Sequence, residues 1–235
     1  MKFIQMFQYF CTNNRIKTII FDFDFTLADS SIPIVECVNY GLRGLGLPEA
    51  SSDEIGRTIG LHLSEALVVL AGEEQQPNAD KFLALFGDRA DQIMADNTVI
   101  FPEVPEALDD LKNRGYTMGI VSTKYRYRIE DILGRAGLLR YFDNIVGGED
   151  VDRHKPAPDS LLLAMENLSV SRQEVIYVGD SITDAKTAEA AEVEFVAVLS
   201  GTTSPKEFDA FPNMTVLAGV DQEFVRCIVE RNPNG

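Results

Sequence analysis

Thr18-Ile19-Ile20-Phe21-Asp22-Phe23-Asp24-Phe25-Thr26 decides how the rest of the chain is read. Its first four residues are apolar or β-branched and show no polar alternation. A strand buried on both faces of a parallel sheet reads this way. Two aspartates, Asp22 and Asp24, then stand two positions apart at the carboxyl end of that strand. Like charges this close repel, and burial disfavours both. A purely structural role is therefore costly, whereas a metal ion or a shared chemical task accounts for the pair.

Similar runs follow along the chain: Met118–Val121, Ile145-Val146, Val175–Val178, Phe195–Val198 and Thr215–Leu217. Between them lie segments of helical period. Val104, Leu108 and Leu111 share one face, as do Ile129, Ile132, Leu133 and Ala136, and then Leu161, Ala164, Met165 and Leu168. Strand and helix in alternation predict an α/β fold with a doubly wound, Rossmann-like, mainly parallel sheet.

From Ile32 to about Asn97 the alternation stops, and only helical periods remain. Ile34, Val38, Leu42 and Leu45 mark a helix that Gly46 and Pro48 end. Leu63, Leu67 and Leu70 mark a second, and Phe82, Leu85, Phe86 and Ile93 a third. An all-helical domain inserted after the first strand is expected. The core domain is then 1–31 with 99–235, and the inserted domain 32–98, with hinges near Ser30–Pro33 and Asn97–Pro102.

The 235 residues suffice for a core without disulfide staples. Lys and Arg number 21 against 37 Asp and Glu, a net charge of −16. That balance excludes a broad nucleic-acid or anionic-membrane surface. An anionic substrate would need a locally positive site, which a divalent cation supplies. Cys11, Cys37 and Cys227 form no CxxC pair, and His62 and His154 are the only histidines, so neither a zinc ribbon, a disulfide framework nor a His-rich metal site is readable, and a reducing cytoplasm is expected. No apolar run reaches membrane-spanning length. Residues 1–15 read as a tail or packing arm rather than a signal peptide.

In open α/β sheets the ligand lies outside the carboxyl ends of the strands. The second strand ends in Ser122-Thr123-Lys124, whose hydroxyls suit either a phosphate oxygen or a helix N-cap. Lys155, in His154-Lys155-Pro156-Ala157-Pro158-Asp159, sits where prolines fix the backbone. The fourth strand ends in Gly179-Asp180-Ser181-Ile182-Thr183-Asp184, with Asp184 one helical turn beyond Asp180. Four aspartates with a serine and a lysine form a hard-oxygen set that favours Mg²⁺ and phosphoryl transfer. Lys124, Arg126 and Arg128 form a small basic cluster. It reads as one solvated helix face, with attraction of anionic substrates as the alternative.

These four segments, in this order, resemble the haloacid dehalogenase superfamily, in its phosphoglycolate-phosphatase-like branch with a helical cap. The resemblance implies a Mg²⁺-dependent phosphatase with Asp22 as nucleophile, Asp24 as acid and base, and Thr26 orienting the Asp24 loop. It implies that Ser122 and Lys155 bind the phosphoryl group. Asp22, the Asp24 carbonyl and Asp180 would bind the metal, with Asp184 beside or behind them. In the cap, the loop with Arg57, Gly60 and His62 is the candidate substrate contact, joined by Thr123 and Lys124. Many members carry Gly where this chain has Phe25, for which a packing change is expected. The implied partner is a small phosphorylated metabolite such as phosphoglycolate, and the protein a monomer or homodimer. A sugar-phosphate mutase, a pyrophosphatase or nucleotidase, or a non-catalytic binding protein are the other readings.

Overall fold

The computed structural model describes residues 16–211 and 214–232. The expectation for the N-terminal segment lies outside the described residues. Strands β1 (Thr18–Phe21), β4 (Thr117–Val121), β5 (Asn144–Val146), β6 (Val175–Gly179), β7 (Glu194–Val198) and β8 (Thr215–Leu217) form one parallel sheet. Its order is β5-β4-β1-β6-β7-β8, so the chain reverses direction across the sheet beside β1. All six strand runs read from the sequence are present.

Strands β1 and β6 are buried along their whole length, and β4 and β7 beyond their first residue, whereas the edge strand β8 exposes Val216. Ile19, Phe21, Ile120 and Val178 pack into one apolar cluster, with Leu108 and Leu111 of α5 (Val104–Asn113) and Phe224 of α9 (Gln222–Glu230). Ile20, Tyr177 and Ala197 face the other cluster, with Leu161 of α7 (Asp159–Leu168) and Ala188 of α8 (Ile182–Ala191). Apolar side chains are thus needed on both faces of the inner strands, which removes the alternation a half-exposed strand would show. The helix α6 (Arg126–Arg135) buries Ile129, Ile132 and Leu133. Ala136, expected on that face, lies beyond the helix end and is exposed, because the helix stops one residue short.

The helical insertion comprises α1 (Ser31–Gly44), α2 (Ser52–Gly56), α3 (Leu63–Ala71) and α4 (Ala79–Asn97). The three periodic helices are those read from the sequence. The short α2, closed by a Ser51–Glu54 capping box, was beyond the reach of periodicity. Two linkers join the insertion to the sheet as a ribbon, β2 (Ala28–Asp29) antiparallel to β3 (Val99–Ile100). α1 starts at Ser31, so Pro33 lies inside its first turn rather than in the linker.

Register brings the site together. Phe21 lies level with Ile120 of β4 and Val178 of β6. Asp22, Ser122 and Asp180 follow within two residues of these positions and so emerge on one edge.

Candidate active site

Lys155 organises the centre. Its Nζ donates to Asp22 Oδ1 at 2.9 Å, to Asp184 Oδ1 at 2.6 Å and to the Tyr177 hydroxyl at 3.2 Å. The lysine is 2% exposed. Burial alone would push its pKa down, but Asp184 and Asp22 more than offset this and hold the ammonium well above its ordinary range. Asp184 uses both oxygens: Oδ1 also accepts from Tyr177 at 2.8 Å, and Oδ2 from the Ser181 hydroxyl at 2.5 Å. Ser181 Oγ in turn caps the Asp184 amide of α8 at 3.1 Å. In the sequence, Tyr177 is one more residue of an apolar strand. A buried tyrosine needs a partner for its hydroxyl, and that was the available signal.

Asp22, Asp180 and Asp184 place ligand oxygens within 4.8 Å of one another, all buried. Burial raises the Asp22 carboxyl to about 7 even though Lys155 pulls it back. Asp180 is raised well above the carboxylate range, by burial and then by Asp184 and Asp22. Three carboxylates against one ammonium leave two negative charges if all ionise, which suits a divalent cation with hard oxygen ligands. Gly201 is required here, since a Cβ on it would stand 1.8 Å from Asp180 Oδ2.

Asp24 lies outside that cluster. Its Oδ1 stands 2.9 Å from Lys124 Nζ. The approach is off the hydrogen-bonding direction, so this buried oxygen has a charge partner but no hydrogen-bond donor. The Thr26 hydroxyl is buried with no partner, so no hydrogen bond from it orients the loop. Ser122 accepts from the Lys124 amide at 3.2 Å. It does not cap α6, whose N-cap is Tyr125. Phe25 is nearly buried and has a left-handed backbone, φ 61°, the conformation that favours glycine.

The solvated-face reading of the basic cluster is corrected. The Lys124 side chain is 6% exposed and that of Arg128 9%. Arg128 reaches α4, with Nη2 2.8 Å from Asp91 Oδ1, and lies over the Tyr125 and Tyr127 rings. Only Arg126 is exposed, paired with Asp150 at 3.2 Å. The sequence names the charges but not the helix that covers them.

In the insertion, Gly60 approaches the start of α8, its Cβ position lying 3.8 Å from Ser181 Oγ. The His62 ring stacks on His154, centroids 3.9 Å apart and planes 6° apart. Burial, then His154, pushes the His62 pKa down to about 4. Arg57 is exposed and is not brought to the site. Thr123 and Lys124 line a cavity of about 60 Å³ beside Asp24, whose other walls include Ile34, Val38, Leu63 and Phe86.

The chain belongs to the family of haloacid dehalogenase-like hydrolases, whose model matches residues 19–198. It is a phosphatase of that family. It is 29% identical over 207 residues to phosphoglycolate phosphatase of Escherichia coli K12, covering 79% of this chain and 82% of that protein. It is 28% identical over 194 residues to phosphoglycolate phosphatase of Nitrosococcus oceani, covering 79% and 84%. A solved haloacid dehalogenase-like hydrolase structure from Bacteroides fragilis superposes with a TM-score of 0.85 at 42% identity, covering 89% of this chain and all of that one.

Proposed function

We propose that the protein hydrolyses a small phosphomonoester, phosphoglycolate or a close analogue, with Mg²⁺, through an acyl phosphate of Asp22. The observation that carries this reading is the buried cluster of Asp22, Asp180 and Asp184 with Lys155 donating into it. Asp22 and Asp180, with the Asp24 carbonyl, hold the ion. Asp184 acts through Lys155, Tyr177 and Ser181, because both its oxygens are already engaged. Bound there, Mg²⁺ supplies positive charge that offsets repulsion between the Asp22 carboxylate and a phosphate dianion.

Lys155 holds Asp22 Oδ1, which leaves Oδ2 to attack phosphorus. The bond from phosphorus to the ester oxygen breaks, and Asp24 gives that oxygen its proton. Water then attacks the phosphorus of the Asp22 phosphate and passes a proton to Asp24. Inorganic phosphate leaves, and Asp22 is free again. Ser122 and Lys155 bind the phosphoryl oxygens. The helices of 32–98 act as a cap over the core of 1–31 and 99–235. Under them, Thr58, Gly60, Leu61 and His62 of the insertion and Thr123 and Lys124 of the core line one pocket beside Asp24, where the leaving group would lie. The free thiols of Cys37 and Cys227 are compatible with a reducing cytoplasm.

The test is phosphate release from a panel of phosphometabolites with Mg²⁺ and with EDTA, beside Asp22→Asn. Release that needs the metal, ranks phosphoglycolate high and vanishes in the variant is expected. Release unchanged by Asp22→Asn would discard the reading.

A further inference from the structure

Lys124 has a second set of partners besides Asp24. Its Nζ lies 3.3 Å from Ser30 Oγ and 3.5 Å from Met94 Sδ. Ser30 Oγ is 3.1 Å from Thr98 Oγ1, and Thr98 Oγ1 donates to the Met94 carbonyl at 2.8 Å. Proton counting gives these bonds one direction. The Thr98 hydroxyl spends its proton on Met94, so it accepts from Ser30. The Ser30 hydroxyl spends its proton on Thr98, so it accepts from Lys124. The chain starts at a cation facing Asp24, crosses both linkers of the insertion, and ends on the last turn of α4.

We propose that Lys124 is a positioning residue for Asp24, set by the two linkers through Ser30 and Thr98. The inference rests on the phosphatase reading, which gives Asp24 its proton-transfer role. A substrate contact fits the geometry less well, because Ser30 and Met94 hold two of the ammonium protons and the charge already faces the Asp24 carboxylate at 2.9 Å. A purely structural role fits it less well too. A buried ion pair is a poor stabiliser compared with apolar packing, and a cation placed only for stability would be expected to hydrogen-bond the oxygen it faces. Here Lys124 fixes Asp24 by charge while leaving Oδ1 free of a donor. That oxygen stays open for the proton exchanged with the leaving group.

The experiment compares kcat/KM on an alkyl phosphate and on p-nitrophenyl phosphate for wild type, Lys124→Met, Lys124→Arg and Ser30→Ala. kcat/KM reports the first phosphoryl transfer, and the nitrophenolate leaves without a proton. If Lys124 positions Asp24, the alkyl-to-aryl ratio falls about 10- to 100-fold in Lys124→Met. Lys124→Arg recovers part of it, and Ser30→Ala shifts the ratio a few-fold in the same direction. An equal loss on both substrates, whether from weaker binding or from poorer folding, leaves the ratio unchanged and overturns the proposal. A shift in Lys124→Met with none in Ser30→Ala overturns the linker half of it. Asp22→Asn runs alongside: if it matches wild type on both substrates, the phosphatase reading fails and takes this inference with it.

Discussion

Two buried lysines stand on the two aspartates of one Asp-x-Asp pair, and they are held differently. Lys155 makes three hydrogen bonds, all to residues of the sheet and of the helix that follows β6. Lys124 faces Asp24 by charge, and its remaining partners belong to a linker and to the insertion. The first arrangement is complete within the core. The second exists only where core and insertion meet. On the proposed roles, nucleophile geometry is built within the core, while the placement of the proton-transfer group depends on a seam between two parts.

Lys155→Met offers the hardest test of that contrast. It leaves Asp22 and Asp184 buried without their cation, a loss of about 3–5 kcal/mol. Turnover should fall on the order of 10²–10³-fold or more, because a donor to the reacting group is lost. The loss should be equal for alkyl and aryl phosphates, unlike that of Lys124→Met. Parallel leaving-group profiles for the two variants would erase the distinction.

What the sequence could reveal follows the same division. Asp22, Asp180 and Asp184 were legible because charge at the ends of apolar runs is costly and conspicuous, and Lys155 because the prolines after it fix the backbone. The inner strands were legible because both faces of the sheet are covered there, which makes each an unbroken apolar run. The two-residue ribbon of β2 and β3 carries no period at all. Nor does the identity of Lys124 or Arg128 say that α4 will cover it, since Arg128 meets Asp91 from 37 residues away. Tyr177 is hidden for the opposite reason: it fits an apolar strand so well that its place in the run says nothing of its hydroxyl's partners.

A smaller effect separates the two regions by pH. The folded-state pKa of Asp22 is raised from 3.8 to about 7. Between those values the metal-free folded protein keeps a proton that the unfolded chain has released. Stability therefore falls as pH rises through that window, by at most about 1.4 kcal/mol per pH unit for one group. A divalent cation replaces that proton, so its stabilising effect grows with pH. The rise in thermal midpoint on adding Mg²⁺ should be larger at pH 8 than at pH 5.5 and nearly absent in Asp22→Asn. The same gain at both pH values would show that the cation does not sit on Asp22.

The smallest expected effect lies at Phe25, between the two lysine-bound aspartates and the linker. Its left-handed backbone costs a Cβ-bearing residue about 1–2 kcal/mol relative to glycine, and its buried ring returns about 1.5–3 kcal/mol. The loop is also held from outside the ring: the Phe25 amide donates to the Ala28 carbonyl at 2.7 Å, and the Phe25 carbonyl accepts from Ser200 Oγ at 2.5 Å. Phe25→Gly gives up the ring and the strain together, so the net loss should be about 1 kcal/mol, a few degrees in thermal midpoint. Phe25→Ala gives up the ring and keeps the strain, so it should be the less stable of the two. Turnover should change little in either, because the backbone bonds that shape the loop survive. The reverse order of stability would mean that the backbone at this position relaxes, and that the ring alone decides what the residue contributes.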